Sequence, residues 1–305
     1  MKYVSCNLCH KHNTKFLFKV KDRLHKVNNN EFNLVKCMNC GLVYLNPQPQ
    51  HEELVKYYPD DYGPYSTDSM DMFKIGPIGN FVKKIRDSLF WKDKSKSKDL
   101  DKSNKNYFDF GCGGGDSLVA IREAHPFWNI EGSDINTHAC EKARSRGFKI
   151  YTGRINELKL QKDFYDIINI NHVIEHLNDP LHTVESLVEF LSPGGELIIS
   201  TPNFDSFAAK IFRSYWYATD APRHLYLFST QTLSELLKKT GLIVNEINYN
   251  TGPKVAIKSV YHLIGRRDMR INHFLWRMFE PFSKIASLWD ANSIMTIKAT
   301  KNNLL

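Results

Sequence analysis

From Asn106 onward, apolar residues gather in short runs bounded by Gly, Asp, Asn and Pro, and these runs alternate with amphipathic stretches. The runs predict strands at 106–110, 128–133, 148–151, 165–170, 196–201, 242–249 and 293–300. Apolar positions at helical spacing between most of them predict helices at about 115–124, 137–145, 180–191 and 230–240. Such alternation is the signature of a doubly wound α/β sheet. The segment 254–289 interrupts it before the last strand. It carries Ile271, Phe274, Leu275, Met278, Phe279 and Phe282 at helical spacing with Arg266, Arg267, Arg270, Arg277 and Lys284 among them. It reads as a helix packed on the domain, with a helix lying on a membrane surface and touching lipid as the alternative. Pro281 is expected to kink or restart it.

The part before Asn106 has a different texture. "NPQPQHEELVKYYPDDYGPY" predicts a turn, a short helix from about His51 to Tyr58 and a cluster of tyrosines, and the amphipathic "PIGNFVKKIRDSLFW" follows. Three segments result: a cysteine-bearing unit at 1–50, a helical and tyrosine-rich stretch with a basic linker at 51–105, and an α/β domain at 106–305. With 305 residues, 42% of them hydrophobic, the chain can bury one ordinary core plus an appendage.

Charge changes this picture little. The formal net charge is +8, but residues 74–106 hold ten Lys or Arg against four Asp or Glu, in a polar run without periodicity. That run reads as a solvated linker, so the excess charge is weak evidence for nucleic acid. The first thirty residues lack an apolar signal core, and no window approaches the ~20 apolar residues of a spanning helix. A cytoplasmic location is expected.

Cysteine spacing adds the first chemistry. Cys6 and Cys9, then Cys37 and Cys40, form two C-x2-C pairs, and Gly41 can take the left-handed conformation that closes such a knuckle. The spacing predicts a four-cysteine zinc site in a small ribbon-like unit, with His10 and His12 nearby as competing ligands. Four thiolates leave no open position on the ion, so its role is structural.

The second chemistry lies in "YFDFGCGGGDSL". Asp116 stands where a dinucleotide fold needs its third glycine, and no Lys-Ser/Thr follows as a P-loop requires. What remains is a glycine turn after one strand and Asp134 at the end of the next, where a carboxylate can accept both hydroxyls of a ribose. A nucleoside without a pyrophosphate fits, and S-adenosylmethionine is such a ligand.

"YFDFGCGGG", "IEGSDI", "FYDIINI", "HVIEHLNDP", "LSPGGELIISTPN" and "RHLYLFS", in this order and spacing, resemble a class I S-adenosylmethionine-dependent methyltransferase of the branch that O-methylates sugars, glycans and quinones. The resemblance covers about 106–300, and the cysteine pairs with "GLVYLNPQP" resemble a zinc-binding extension of some members. It implies a Rossmann-like seven-stranded sheet whose last strand is antiparallel. It also implies that Gly111, Gly113 and Gly115 lie against the cofactor, Asp134 on its ribose, Ile135 on the adenine face and the turn of Gly153, Arg154 and Ile155 near the adenine edge. Asp109 would orient the cofactor's amino group, and Asn171 and His172 would face its methionine end.

Methyl transfer to a hydroxyl is an in-line displacement that needs a base. His172, Glu175 and His176 in "HVIEH" and His224 beside Arg223 supply candidates, with His176 or His224 expected as the base. His172, Glu175 and His176 are alternatively expected to hold a second divalent metal, as in the quinone enzymes of the resemblance, or to form a helix-start network. Arg223, Tyr62 and Trp216 are candidate acceptor contacts; Tyr58, Tyr62 and Tyr65 read equally as a lid or as packing. The expected partner is a small-molecule or glycan acceptor rather than nucleic acid. The competing readings are an RNA methyltransferase whose zinc unit grips RNA and a cofactor-free interaction module.

Overall fold

The computed structural model describes residues 1–58, 103–249, 252–266, 270–271, 273–287 and 292–302. Tyr62 and Tyr65, the basic linker and the amphipathic stretch before it lie outside the described residues.

Strands β1 (Thr14–Lys21), β2 (Glu31–Cys37) and β3 (Val43–Leu45) precede a short helix α1 (His51–Leu54), extended by a 3-10 turn over Val55–Tyr57. The α/β part then runs β4 (Asn106–Phe110), α2 (Asp116–Ala124), β5 (Asn129–Asp134), α3 (Thr137–Ser145), β6 (Lys149–Thr152), β7 (Tyr165–Asn171), α4 (Pro180–Phe190) and β8 (Leu191–Pro202). It continues through α5 (Phe207–Phe212), β9 (Tyr226–Leu227), α6 (Thr230–Lys239), β10 (Leu242–Tyr249), α7 (Lys254–Leu263), α8 (His273–Ser287) and β11 (Ile294–Lys301).

Seven strands form one sheet in the order β10-β11-β8-β7-β4-β5-β6. β11 pairs antiparallel with both neighbours, whereas β4, β5, β6, β7 and β8 pair in parallel. The seven-stranded Rossmann-like sheet with an antiparallel last strand is therefore present, that strand lying between β10 and β8. Strand order reverses between β4 and β7, which opens a crevice beyond their carboxyl ends where ligands of such sheets bind.

Alternation along the strands sorts side chains to two faces. Tyr107, Ile167 and Ile198 pack with Leu118 and Ile121 of α2 and Cys140 and Ala143 of α3, while Phe108, Ile168 and Ile199 face the other way. That second face shares its core with the N-terminal residues Cys6, Leu8, Tyr44 and Tyr57. The reason is visible in the pairing: the N-terminal sheet has the order β1-β2-β3-β9, so its fourth strand comes from Tyr226–Leu227. A run of two residues leaves no periodic trace, and neither β9 nor the six-residue α5 was expected from the pattern. The 254–289 insertion forms α7 and α8, and α8 passes through Pro281 without restarting.

Candidate active site

The crevice has one wall at the ends of β4, β5 and β6. Gly111 and Cys112 donate their backbone N–H to the carbonyl of Ser133 at 2.8 and 2.9 Å, folding the glycine turn back on β5. Gly111 has φ +84°, and a Cβ there would stand 2.3 Å from Val173 Cγ2, so no other residue fits this backbone. Asp134 accepts from Gly113 N at 2.9 Å through one oxygen and from Asn136 N at 2.8 Å through the other. Burial raises its pKa, and these N–H donors oppose the rise. Each carboxylate oxygen keeps acceptor capacity for a further donor. Deeper in the wall, Asp109 is buried, accepts from Ser117 Oγ at 2.5 Å and Asn169 Nδ2 at 2.9 Å, and is likewise raised by burial.

The other wall follows β7 and gathers four acidic or imidazole groups. Glu175 is buried and accepts from Thr201 Oγ1 at 3.0 Å, with His172 Nδ1 at 3.1 Å. Burial alone would raise its pKa; the hydrogen bond and charge of His172, with His224 and His176 beyond, outweigh burial and bring it down to about 2. His172 itself sits at φ +55°, a left-handed conformation unusual for a side chain with a Cβ.

Backbone carbonyls fix the tautomers of the remaining pair. A carbonyl only accepts, so Nδ1–H of His176 donates to Arg223 O at 3.0 Å and Nδ1–H of His224 donates to Ala218 O at 2.8 Å. Both Nε2 atoms are left with a lone pair. The rings lie 4.6 Å apart, and His224 Nε2 is 3.9 Å from Glu175 Oε1 and 4.0 Å from Asp220 Oδ2. Burial, then His224, pushes the pKa of His176 down to about 4. Tyr58 places its hydroxyl 3.2 Å from His176 Nδ1.

A buried ion pair holds this wall in place. Arg223 is fully buried; its guanidinium donates to Asp220 at 2.6 and 3.0 Å, to Asp22 at 2.8 Å and to the carbonyl of Tyr57 at 2.9 Å. Asp22 follows β1, so the N-terminal sheet reaches directly into the histidine wall.

Glycine turn, ribose-type carboxylate and switch-point crevice agree with a methyltransferase-domain family model that matches residues 83–247. The chain belongs to this methyltransferase family. It is 30% identical over 207 residues to the ubiquinone biosynthesis O-methyltransferase of Vibrio cholerae, a match covering 64% of this chain and 76% of that one. An uncharacterized protein of Methanocaldococcus jannaschii is 29% identical over 121 residues, covering 39% of this chain; the chain spans only 58% of that relative's length. A solved structure from Galdieria sulphuraria, proposed to be a sarcosine dimethylglycine methyltransferase, shares the fold. Its TM-score is 0.51 at 13% identity, over 74% of this chain and 88% of that one.

Within this methyltransferase, the expected cofactor residues Asp109, Gly111, Gly113 and Asp134 meet in one wall, and Gly153 N joins them by donating to Asp134 O at 3.1 Å. Ile135 is half exposed beside them, Arg154 is exposed, Ile155 is buried under the turn, and Asn171 is exposed at the end of β7. Gly115 in the same turn also takes a left-handed φ, +82°, and a Cβ on it would meet Ala143 Cβ of α3 at 3.0 Å, so its bareness serves helix packing as well.

Two expected acceptor contacts are corrected. Arg223 is consumed by its ion pairs and Trp216 is fully buried, so neither offers a side chain to an acceptor. Tyr62 lies outside the described residues. The expected metal trio is also redrawn: among the described residues, the donor atoms that gather within 4.8 Å belong to Glu175, His176 and His224, and not to His172. Asp22, Asp220, Thr201, Ser117 and Asn169 were not anticipated as site residues. Only Asp220 had a readable sign, three residues before Arg223.

The second donor cluster is that of the cysteines. Cys6, Cys9, Cys37 and Cys40 hold their sulfurs within 4.8 Å of one another, with Cys6 Sγ 3.4 Å from Cys40 Sγ and Cys9 Sγ 3.5 Å from Cys37 Sγ. Four soft donors at such spacing fit a tetrahedral thiolate-bound ion, whose sulfurs stand about 2.3 Å from the metal.

Proposed function

We propose that this methyltransferase moves a methyl group from S-adenosylmethionine to a hydroxyl of a sugar, of a nucleotide-linked or lipid-linked glycan, or of a related metabolite, with His224 as general base. The observation that carries the reading is the pair of imidazoles whose Nδ1–H groups are spent on carbonyls, leaving both Nε2 lone pairs at the carboxyl edge of the sheet. The O-methyltransferase named among the relatives supports oxygen as the acceptor atom.

When bound, S-adenosylmethionine supplies an electrophilic methyl on a positively charged sulfur. Asp134 would accept its ribose hydroxyls, the bare backbone at Gly111 and Gly113 would let it approach, and Asp109 would orient its amino group directly or through water. On the other wall, the ionised carboxylates of Glu175 and Asp220 stand about 4 Å from His224 Nε2 and stabilise the imidazolium formed as the acceptor hydroxyl loses its proton. His176 suits this step less, because burial lowers its pKa to about 4 and opposes protonation. The cysteine cluster would carry a structural zinc ion that fixes the N-terminal sheet.

One observation favours a second reading: Glu175, His176 and His224 together would hold a divalent ion, their Nδ1–carbonyl bonds orienting the rings as outer-shell partners do. Activity abolished by a chelator that leaves the cysteine-bound ion in place, and restored by an added divalent ion, would favour it; activity indifferent to that treatment would leave His224 as the base.

Isothermal titration with S-adenosylmethionine and S-adenosylhomocysteine tests the cofactor first. Roughly micromolar binding, weakened about 100-fold by Asp134→Ala, is expected. A folded wild-type protein that binds neither compound would end the methyltransferase reading. With an acceptor found by screening nucleotide sugars, His224→Gln is expected to lower kcat by about 10²–10⁴ without changing S-adenosylhomocysteine affinity.

A further inference from the structure

We infer that α8 is a docking element for an anionic lipid surface. Phe274, Met278, Phe282 and Ile285 are all exposed, with Phe274 at 71% and Phe282 at 67%. At about 100° per residue these four positions share an arc about 80° wide, so they form a single apolar stripe turned to solvent. Leu275 and Phe279, on one side of that arc, are half-buried towards the fold. Arg277 and Lys284, on the other side, are exposed, and Arg270 is exposed just ahead of the helix. Leu263 and Ile264, at the end of the neighbouring α7, add two further exposed apolar side chains.

This arrangement inverts what a helix on a water-soluble surface presents, where the apolar face points inward. Exposed apolar side chains at scattered positions need no explanation, but a continuous stripe marks an interaction surface. Charge selects the occupant. Residues 254–287 contain seven Lys or Arg and two Asp or Glu, a net of +5. A helix with an aromatic and aliphatic stripe flanked by a net positive face, on which Lys284 also pairs with Glu280 at 3.1 Å, matches the boundary between acyl chains and anionic headgroups, with the stripe entering the acyl region and Arg270, Arg277 and Lys284 at headgroup level. Among the described residues no helix is long and apolar enough to cross a membrane, so the contact is one of lying on the surface. Its occupant is the bilayer itself rather than a protein partner.

Co-sedimentation of the full chain with phosphatidylcholine vesicles, with and without phosphatidylglycerol, tests this. Binding to the anionic vesicles at least about tenfold stronger than to the neutral ones, and falling as salt is raised, is expected. The variant Phe274→Ser/Met278→Ser/Phe282→Ser and the variant Arg270→Gln/Arg277→Gln/Lys284→Gln should each lose about tenfold in vesicle binding while keeping the wild-type circular dichroism spectrum and Tm. Equal binding to both vesicle types, or wild-type binding by both variants, would overturn the inference. So would a concentration-dependent dimer that ignores vesicles and dissociates in the apolar variant, because the stripe would then serve a second copy of the chain.

Discussion

The two walls of the crevice are built on different plans. The cofactor wall draws mainly on one stretch, Asp109 to Ile155, in which strand ends, glycine turn and carboxylate follow each other along the chain, with Asn169 of β7 the one side chain from outside it that binds Asp109. The histidine wall collects Asp22, Tyr57, Tyr58, Glu175, His176, Thr201, Asp220, Arg223 and His224 from across the fold. Local construction makes the first wall an intrinsic property of the α/β sheet. The second wall depends on the N-terminal sheet being folded and docked, because Asp22 and the Tyr57 carbonyl complete the shell around Arg223.

That difference is open to a direct break. Asp22→Ala would leave the buried Arg223 short of one of its two carboxylates, and losing a partner of a buried ion pair costs about 3–5 kcal/mol. A clear fall in Tm is expected, with S-adenosylhomocysteine affinity kept within about threefold by the separate cofactor wall. Stripping the ion proposed at the four cysteines should act in the same direction, since the sheet it fixes carries both β9 and Asp22. If either treatment abolished cofactor binding in a protein that otherwise stays folded, the two walls would not be separable.

The same contrast explains what the amino-acid pattern revealed. The central strands and helices were legible because burial on both faces of a parallel sheet leaves apolar runs of definite length, and strand ends carry their turn residues with them. The cofactor wall was legible for the same reason: its groups are neighbours in sequence. In the sequence Arg223 reads as an acceptor contact, since an arginine in a loop looks like a ligand contact until Asp22, 201 residues earlier, is seen to neutralise it. Trp216 failed likewise; aromatic type does not distinguish a stacking platform from a core plug. β9 was invisible because two residues cannot show a period of two. No expectation from spacing could place the fourth strand of the cysteine-bearing sheet beyond residue 220.

A smaller effect sharpens the account of the cofactor wall. Ser117 contributes one of the two side-chain donors on the buried Asp109, and Ser117→Ala would leave that carboxylate with Asn169 alone. An unsatisfied buried group costs about 1–3 kcal/mol, part of which is relieved by protonation because burial already raises this carboxyl. S-adenosylhomocysteine binding weakened about threefold to tenfold is expected, with the histidine wall unaffected. Equal weakening of a histidine-wall readout, such as the hydrogen-exchange protection of residues 172–176, would show that the walls communicate through β4 and β7.

The smallest effect distinguishes the walls by sign. In the histidine wall, folded pKa values lie below their ordinary ones: His176 falls from 6.5 to about 4, and Glu175 from 4.5 to about 2. Between about pH 6.5 and 4 the unfolded chain therefore binds more protons at His176 than the folded chain does. The stability this group contributes is complete above about pH 6.5 and is lost as pH falls towards 4, with Glu175 adding its loss below about 4.5. In the cofactor wall, burial raises Asp109 and Asp134, so their contribution runs the other way: greatest below the ordinary carboxyl pKa and lost as pH rises through the folded value. On acidification from neutrality, protection against hydrogen exchange, corrected for the intrinsic pH dependence, is expected to decline at 172–176 and 220–224. At 109–116 and 133–136 it should hold or rise. In His176→Gln the decline at 172–176 between about pH 6.5 and 4.5 should disappear, leaving the loss that Glu175 adds below about 4.5. A parallel decline in both walls of the wild-type protein would mean that acid acts on the fold as one unit, and that the difference in how the walls are built has no counterpart in how they are held.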